Sequence, residues 1–329
     1  MAVKRGGALP GSLVLFYAGR VTAEVTRDDI VAAAERIEGH IRRTPMIDLG
    51  DVHGAGYTLS LKLDNLQRTG SFKVRGAFSL MTSVEIPEAG VVAASGGNFG
   101  LAVACAARDL GHRATIFVPE TSPREKVGRI AEYGVDVRPV PGFYADALEA
   151  ATEWADETGA YQAHAYDDPN VVAGQGTCAA EILHDLPDVD TVLVAVGGGG
   201  LIAGIASWIR SDAGVIAIEP ESCPTLFEAR RAGQPVEVEV GGIAASALGA
   251  SRIGDLAWYA NQWIDDAVLV TDSQIVEAQK WLWETCRLVA EPAAATTLAA
   301  LASGAYFPER GERIVAVISG ANTNPGSVV

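Results

Sequence analysis

Short apolar runs alternate with amphipathic stretches along most of the chain. Val91–Ala94, Ala114–Val118, Val135–Val140, Thr191–Val196, Val215–Ile218 and Ile314–Ile318 have the length and β-branched content of buried strands. Leu59, Leu61 and Leu63 alternate as a further strand does. Between these lie helical patterns. Thr26-Arg-Asp-Asp gives an N-cap with acids in the first turn, and Ile30, Ala34, Ile37 and Ile41 then fall on one face until Thr44-Pro45. Leu101–Leu110 stops at Gly111, Pro123–Tyr133 stops at Gly134, and Ala145–Trp154 repeats the unit. Strand, turn and helix in regular alternation predict an α/β protein whose parallel sheets are covered on both faces.

In such folds ligands bind at the carboxyl ends of the strands, so the residues after each strand carry the chemistry. Ala94-Ser95-Gly96-Gly97-Asn98 combines two glycines with a helix start, which suits close approach of an anion but serves a tight turn equally well. Gly197-Gly198-Gly199-Gly200 precedes another helix. Four glycines cost roughly 1 kcal/mol each in backbone entropy relative to alanine, and a nest of N–H groups around a phosphate is the natural reason to carry them. Gly198, Gly200 and Ala203 also fit G-x-G-x-x-A, with Glu219 at the next strand end, so a dinucleotide site is a rival. Ser319 ends the last strand, where a serine is more often a turn residue than a ligand. Lys73 lies between Phe72 and Val74 in a glycine-bounded segment, a setting that favours a neutral amine.

The overall numbers narrow the class. The 329 residues are 49% hydrophobic and 20% charged, which places the chain among globular proteins. The formal charge of −16 speaks against nucleic-acid binding, which depends on neutralising phosphates. The four cysteines are widely spaced and the histidines show no metal pattern, so neither a disulfide framework nor a zinc site is expected, and a reducing cytoplasm fits. The apolar run Leu13–Tyr17 is too short for a secretory signal, no stretch is long enough for a membrane helix, and the N-terminal residues read as a loose extension.

Thr69-Gly70-Ser71-Phe72-Lys73-Val74-Arg75-Gly76-Ala77 decides between these readings. Together with the asparagine loop, the tetraglycine and Ser319, in that order, it resembles the fold-type II pyridoxal-phosphate (PLP) enzymes, in particular the serine/threonine dehydratases and the related serine racemases. The likeness runs from about Thr26 to Pro325. It implies two domains, each an open, mainly parallel sheet flanked by helices: 1–83 plus 167–329 as a large cofactor domain, and 84–166 as a small mobile one. It implies that Lys73 carries PLP, that Gly197, Gly198, Gly199, Gly200 and Leu201 hold the phosphate, and that Phe72 lies along the ring. Asn98 would bond the ring hydroxyl and Ser319 the ring nitrogen. Thr69, Ser95, Gly97 and Asn98 would take the substrate carboxylate.

The implied reaction is loss of water and ammonia from a small β-hydroxy amino acid, in a homodimer. β-replacement, racemisation and a dinucleotide-dependent oxidoreductase are the alternatives. Some relatives carry a further C-terminal regulatory domain; about ten residues follow Ser319, and none is expected here.

The chain also departs from the pattern. Phe99 stands where the dehydratases have histidine, and Gly96 where the racemases have a serine acting on the second face of Cα, which speaks against efficient racemisation. Ser246 replaces a common aspartate. Glu219 is the single candidate metal ligand, and Thr225 stands where its aspartate partner would be, so no metal is expected. Glu291-Pro292 matches a position near the family's site but reads equally as a solvated helix start.

Overall fold

The computed structural model of the protein describes residues 16–17, 20–21 and 24–327. Most of the N-terminal extension therefore lies outside the described residues. Its two short pieces, β1 (Phe16–Tyr17) and β2 (Arg20–Val21), pair antiparallel.

Besides that pair, the described residues build two larger sheets. In the larger one β3 (Met46–Asp51) runs antiparallel to β4 (Thr58–Lys62), and β9 (Thr191–Ala195), β10 (Gly214–Pro220), β11 (Asp266–Val270) and β12 (Arg313–Val317) run parallel to β4, in the order β11-β10-β9-β12-β4-β3. The smaller sheet is all parallel: β5 (Val91–Ala94), β6 (Ala114–Pro119), β7 (Asp136–Val140) and β8 (Tyr161–Gln162), in the order β7-β6-β5-β8.

The continuous apolar runs are explained by their two faces. Val192 and Val194 join the core beneath α1 (Arg27–Ile37), α6 (Pro169–Asp185) and α7 (Gly200–Ile209). Leu193 and Ala195, one residue out of phase, join the core beneath α11 (Asp272–Cys286) and α12 (Pro292–Ser303). Period-two geometry thus commits Val192 to Ala195 of β9 alternately to one apolar layer and the other. In the smaller sheet Val91 and Ala93 pack with α2 (Lys73–Ser83) and α3 (Asn98–Leu110), while Val92 and Ala94 pack with α5 (Tyr144–Thr158).

Two expectations are corrected. The first helix stops at Ile37 rather than running on to Ile41, because Glu38 leaves helical geometry at ψ 133° and Gly39 follows at φ +79°, well before Pro45. Its buried residues are Ile30, Ala33 and Ile37, and Ala34 is exposed. The Thr26 cap does form, with Asp29 closing the reciprocal bond.

Beneath the start of α2 lies a buried ion cluster. Arg75 binds Asp64 at 2.8 Å and Glu181 at 2.7 Å, and Lys62 reaches the same Glu181 at 2.5 Å. Every charge has a partner, which is the condition for tolerating ions in a core. The cluster ties β4, α2 and α6 together two residues from Lys73.

Candidate active site

The loops that reading the sequence singled out converge at the carboxyl ends of the strands. After β4 the chain runs through Gly70 at φ +74° into α2, which begins at Lys73. That segment is laced to the residues after β12. The Phe72 N–H donates to Ser319 O at 3.0 Å, Ser71 pairs with Gly320, and the Ala321 N–H donates to Gly70 O at 2.8 Å. Lys73 and Ser319 are thereby fixed beside each other although 246 positions apart in sequence.

The Lys73 amine donates to Ala165 O at 2.9 Å and lies 5.1 Å from the Phe72 ring and 5.8 Å from the Phe99 ring. Burial pushes its pKa down to about 8, against the opposing pull of Glu291. Desolvation disfavours the ammonium form, so the neutral amine is within reach at neutral pH.

The residue after Ala165 connects this amine to the tetraglycine. The Tyr166 ring lies so close to Gly198 that a Cβ there would overlap it, and a Cβ on Gly200 would sit 2.9 Å from Tyr166 Cα. Gly199 takes φ +90° and starts α7 with no side-chain cap. Helix geometry leaves the first N–H groups of α7, those of Gly200 and Leu201 among them, without intrahelical partners. The turn is anchored from behind: the Thr225 hydroxyl donates to Gly197 O at 2.6 Å.

Thr225 also donates to Glu219 Oε1 at 3.1 Å, and the same carboxylate accepts the N–H groups of Leu226 and Phe227 at 2.9 and 2.7 Å. Glu219 is wholly buried, its pKa pushed up to about 7 by that burial. It therefore caps α8 (Thr225–Ala232) from within the core and does not face a ribose hydroxyl, which removes the acidic partner the dinucleotide reading needed.

The asparagine loop closes the other side. The Ser95 N–H donates to Phe117 O at 3.0 Å, and Ser95 Oγ accepts the Gly97 N–H at 3.2 Å. Asn98 starts α3 and is buried. Its orientation follows from a chain of bonds. Arg129 donates to Asn322 Oδ1 at 2.8 Å, so Asn322 Nδ2 must face Thr69 O and Asn98 Oδ1, at 2.9 and 2.8 Å. Asn98 Nδ2 is left to donate to Glu291 Oε1 at 2.7 Å.

Glu291 is 3% exposed, so Glu291-Pro292 is no solvated helix start. Burial raises its pKa to about 7, against Lys126, Asn98 and Lys73, and its Oε2 has no partner. Asn322 and Tyr166 are residues that reading the sequence left out of the site, and Glu291 is one it left open. The Glu-Pro pair and the Asn322 after Ser319 were the available signals. Thr69 Oγ1 and Ser71 Oγ, flanking the lysine turn, are buried without hydrogen-bond partners.

A family model described as "Pyridoxal-phosphate dependent enzyme" matches residues 37–320. The chain belongs to this family. It is 36% identical over 307 residues to the L-threonine ammonia-lyase of Thermotoga maritima, covering 91% of this chain and 76% of that protein. It is likewise 36% identical over 309 residues to the catabolic L-threonine dehydratase of Escherichia coli (strain K12), covering 91% and 93%. The solved structure of maize serine racemase superposes with a TM-score of 0.88 at 30% identity, over 93% of this chain and 96% of that one. The fold is thus the fold-type II architecture and the enzyme depends on PLP.

The residues present fit that cofactor. An uncapped helix start behind four tightly walled glycines offers N–H groups to a phosphate dianion. A lysine with a lowered pKa donates to the carbonyl of Ala165, the residue before the tyrosine that lines those glycines, and unpartnered buried hydroxyls flank it. A wide cleft also opens at the amino ends of β9, β10 and β12, among Asp190, Asp265, Tyr306, Glu309 and Arg313. It holds no lysine and lies at the opposite end of the strands from the glycine loop.

Proposed function

We propose that this enzyme eliminates water and ammonia from a small β-hydroxy amino acid such as threonine or serine, releasing a 2-oxo acid, with Lys73 as both cofactor anchor and base. The observation that carries the reading is the Lys73 amine, set between Phe72 and Phe99 and bonded to the carbonyl next to the tyrosine that walls the tetraglycine. When bound, PLP supplies an electron sink for the charge left at Cα.

The protein's own residues divide the remaining work. Gly197, Gly198, Gly199, Gly200 and Leu201 hold the phosphate through backbone N–H groups. Phe72 supports the ring, and the second hydrogen of Asn98 Nδ2 donates to the ring hydroxyl. Ser319, a neutral partner for the ring nitrogen, does not hold a proton there as an aspartate would, and this favours prompt loss of the β-hydroxyl over transamination. Thr69, Ser95, Gly97 and Asn98 receive the substrate carboxylate. Lys73, freed as an amine, takes the Cα proton. With its pKa lowered to about 8, about a tenth of the free amine is neutral at pH 7, against about 0.03% at the ordinary value.

The same reading divides the chain into 1–83 plus 167–329 and a mobile 84–166, whose movement opens and closes the asparagine loop over the substrate. It pairs two copies as a homodimer working in the cytoplasm. Kinship with threonine ammonia-lyases at 36% identity supports dehydration over β-replacement.

The test is to reduce the PLP-loaded protein with borohydride, map the labelled peptide, and measure keto acid and ammonia from a panel of β-hydroxy amino acids. The label is expected on Lys73. Lys73→Ala is expected to lose the label and about 10²–10⁴-fold in turnover. A label on another lysine, or no keto acid from any member of the panel, overturns the proposal.

A further inference from the structure

Position 96, in the middle of the asparagine loop, is a glycine whose missing side chain has been replaced in space by another residue. An ideal Cβ built on Gly96 would overlap Ser122 Oγ and lie 2.7 Å from Ser122 Cβ; the next neighbour, Val118 Cβ, is 3.8 Å away. Ser122 does not belong to this loop. It sits in the connection between β6 and α4 (Arg124–Ala131), held by its N–H donating to Pro119 O at 2.9 Å.

The two connections are fastened together where the strands end, by the Ser95 N–H donating to Phe117 O at 3.0 Å. The placement is therefore set by the sheet, and not by a floating side chain. One volume cannot hold both a Cβ on residue 96 and the hydroxyl of residue 122. The chain can carry a side chain at one of these positions or the other, and it carries a serine at 122.

We propose that Ser122 supplies the asparagine loop with the hydroxyl its own position 96 lacks, and that this hydroxyl positions the carboxylate of the amino-acid substrate. The proposal rests on the reading of residues 95–98 as the carboxylate loop.

Three observations carry it. Ser122 is half-buried, and its hydroxyl makes no hydrogen bond among the described residues, so its donor is free. It touches the residue between Ser95 and Gly97, two of the carboxylate ligands proposed above. The same connection leads into α4, whose Lys126 and Arg129 line a small hollow with Gly97, Asn98 and Asn322, so the surroundings favour an anion. A neutral donor against Gly96, next to the Gly97 that lines this hollow, adds one charge-assisted bond to a carboxylate.

The experiment moves the hydroxyl back. Ser122→Ala, Gly96→Ser and the double variant Gly96→Ser/Ser122→Gly, which removes the Cβ of residue 122 as well as its hydroxyl, are prepared as PLP-loaded protein. Binding of glycine, which has no β-leaving group, is followed through the cofactor's visible absorbance, and KM and kcat are measured with threonine. Melting temperature and PLP affinity are recorded alongside.

Ser122→Ala is expected to weaken glycine binding and raise KM about tenfold or more, the worth of a hydrogen bond to a charged group, with PLP affinity unchanged. Gly96→Ser alone is expected to lower the melting temperature through the overlap. The double variant is expected to recover both the melting temperature and glycine binding to within a few-fold of the parent. Wild-type glycine binding by Ser122→Ala overturns the assignment, as does a double variant that binds no better than Ser122→Ala. Asn98→Ala separates the two levels of the argument. If it loses glycine binding while Ser122→Ala does not, the assignment of Ser122 falls alone. If neither loses it, the carboxylate loop itself is misplaced.

Discussion

Glu291 offers the sharpest physical test of the site, because its effect on stability has a sign and a pH window that few other mechanisms share. The carboxyl is buried behind Pro292, with Oε1 accepting from Asn98 at 2.7 Å and Oε2 without a partner. Burial lifts its pKa from 4.5 to about 7. A carboxyl whose pKa is raised by folding holds its proton more tightly in the native state. The stabilisation that proton provides is whole below pH 4.5, declines as pH rises, and is gone above about 7. A shift of about 2.5 units corresponds to about 3 kcal/mol across that window.

Glu291→Gln keeps an oxygen for Asn98 and has no proton to lose. Urea midpoints of the PLP-free protein and of this variant should therefore converge near pH 4.5. By pH 7.5 the variant should be the more stable by about 3 kcal/mol. The difference between the two proteins cancels every titrating group that does not feel the Glu291 charge; Lys73, which does, is the exception. A difference that stays flat from pH 4.5 to 7.5 would show that Glu291 titrates normally and would remove it as a buried proton holder beside Lys73.

Two further outcomes follow from the glycine loop. Gly198→Ala should weaken PLP binding by at least tenfold, read by titrating the PLP-free protein and following absorbance, because a Cβ there drives into the Tyr166 ring and displaces the loop. Thr225→Val removes the hydroxyl that bonds Gly197 O and reaches Glu219, leaving the Gly197 carbonyl without that donor. It should cost about 1–3 kcal/mol of stability in urea melts and loosen PLP affinity with little change in KM.

How far the sequence carried can be judged element by element. β5 was legible to the residue, Val91–Ala94, because both of its faces are buried and its whole length is apolar. The helix after it was read from Leu101 but begins at Asn98. Polar Asn98 and the glycines before it gave no apolar period to count, yet tertiary bonds to Glu291 and Asn322 hold them in place. The end of α1 was misplaced because Ile41 continued the apolar spacing while the backbone at Gly39 had already turned away.

The order of the motifs and the run of parallel strands were legible in the sequence itself, whereas a shared site for Lys73, the tetraglycine and Ser319 was an expectation carried by the family resemblance. Each depends on residue type at short range: backbone freedom at glycine, an amine flanked by apolar side chains, apolar runs of strand length. Which further residues come to lie against these loops was decided only by packing in three dimensions. Glu219 matched a nucleotide ligand by spacing, but the fold turned it inward to cap α8. Glu291 looked like a helix start at the surface, but α12 carries it to within 2.7 Å of Asn98, 193 positions away. Gly96 looked like a lost side chain until the neighbouring strand brought Ser122 into its place. Contacts between strand ends follow from sheet order and register, and these are set by the burial of both faces over the whole domain, which no local pattern of residues encodes.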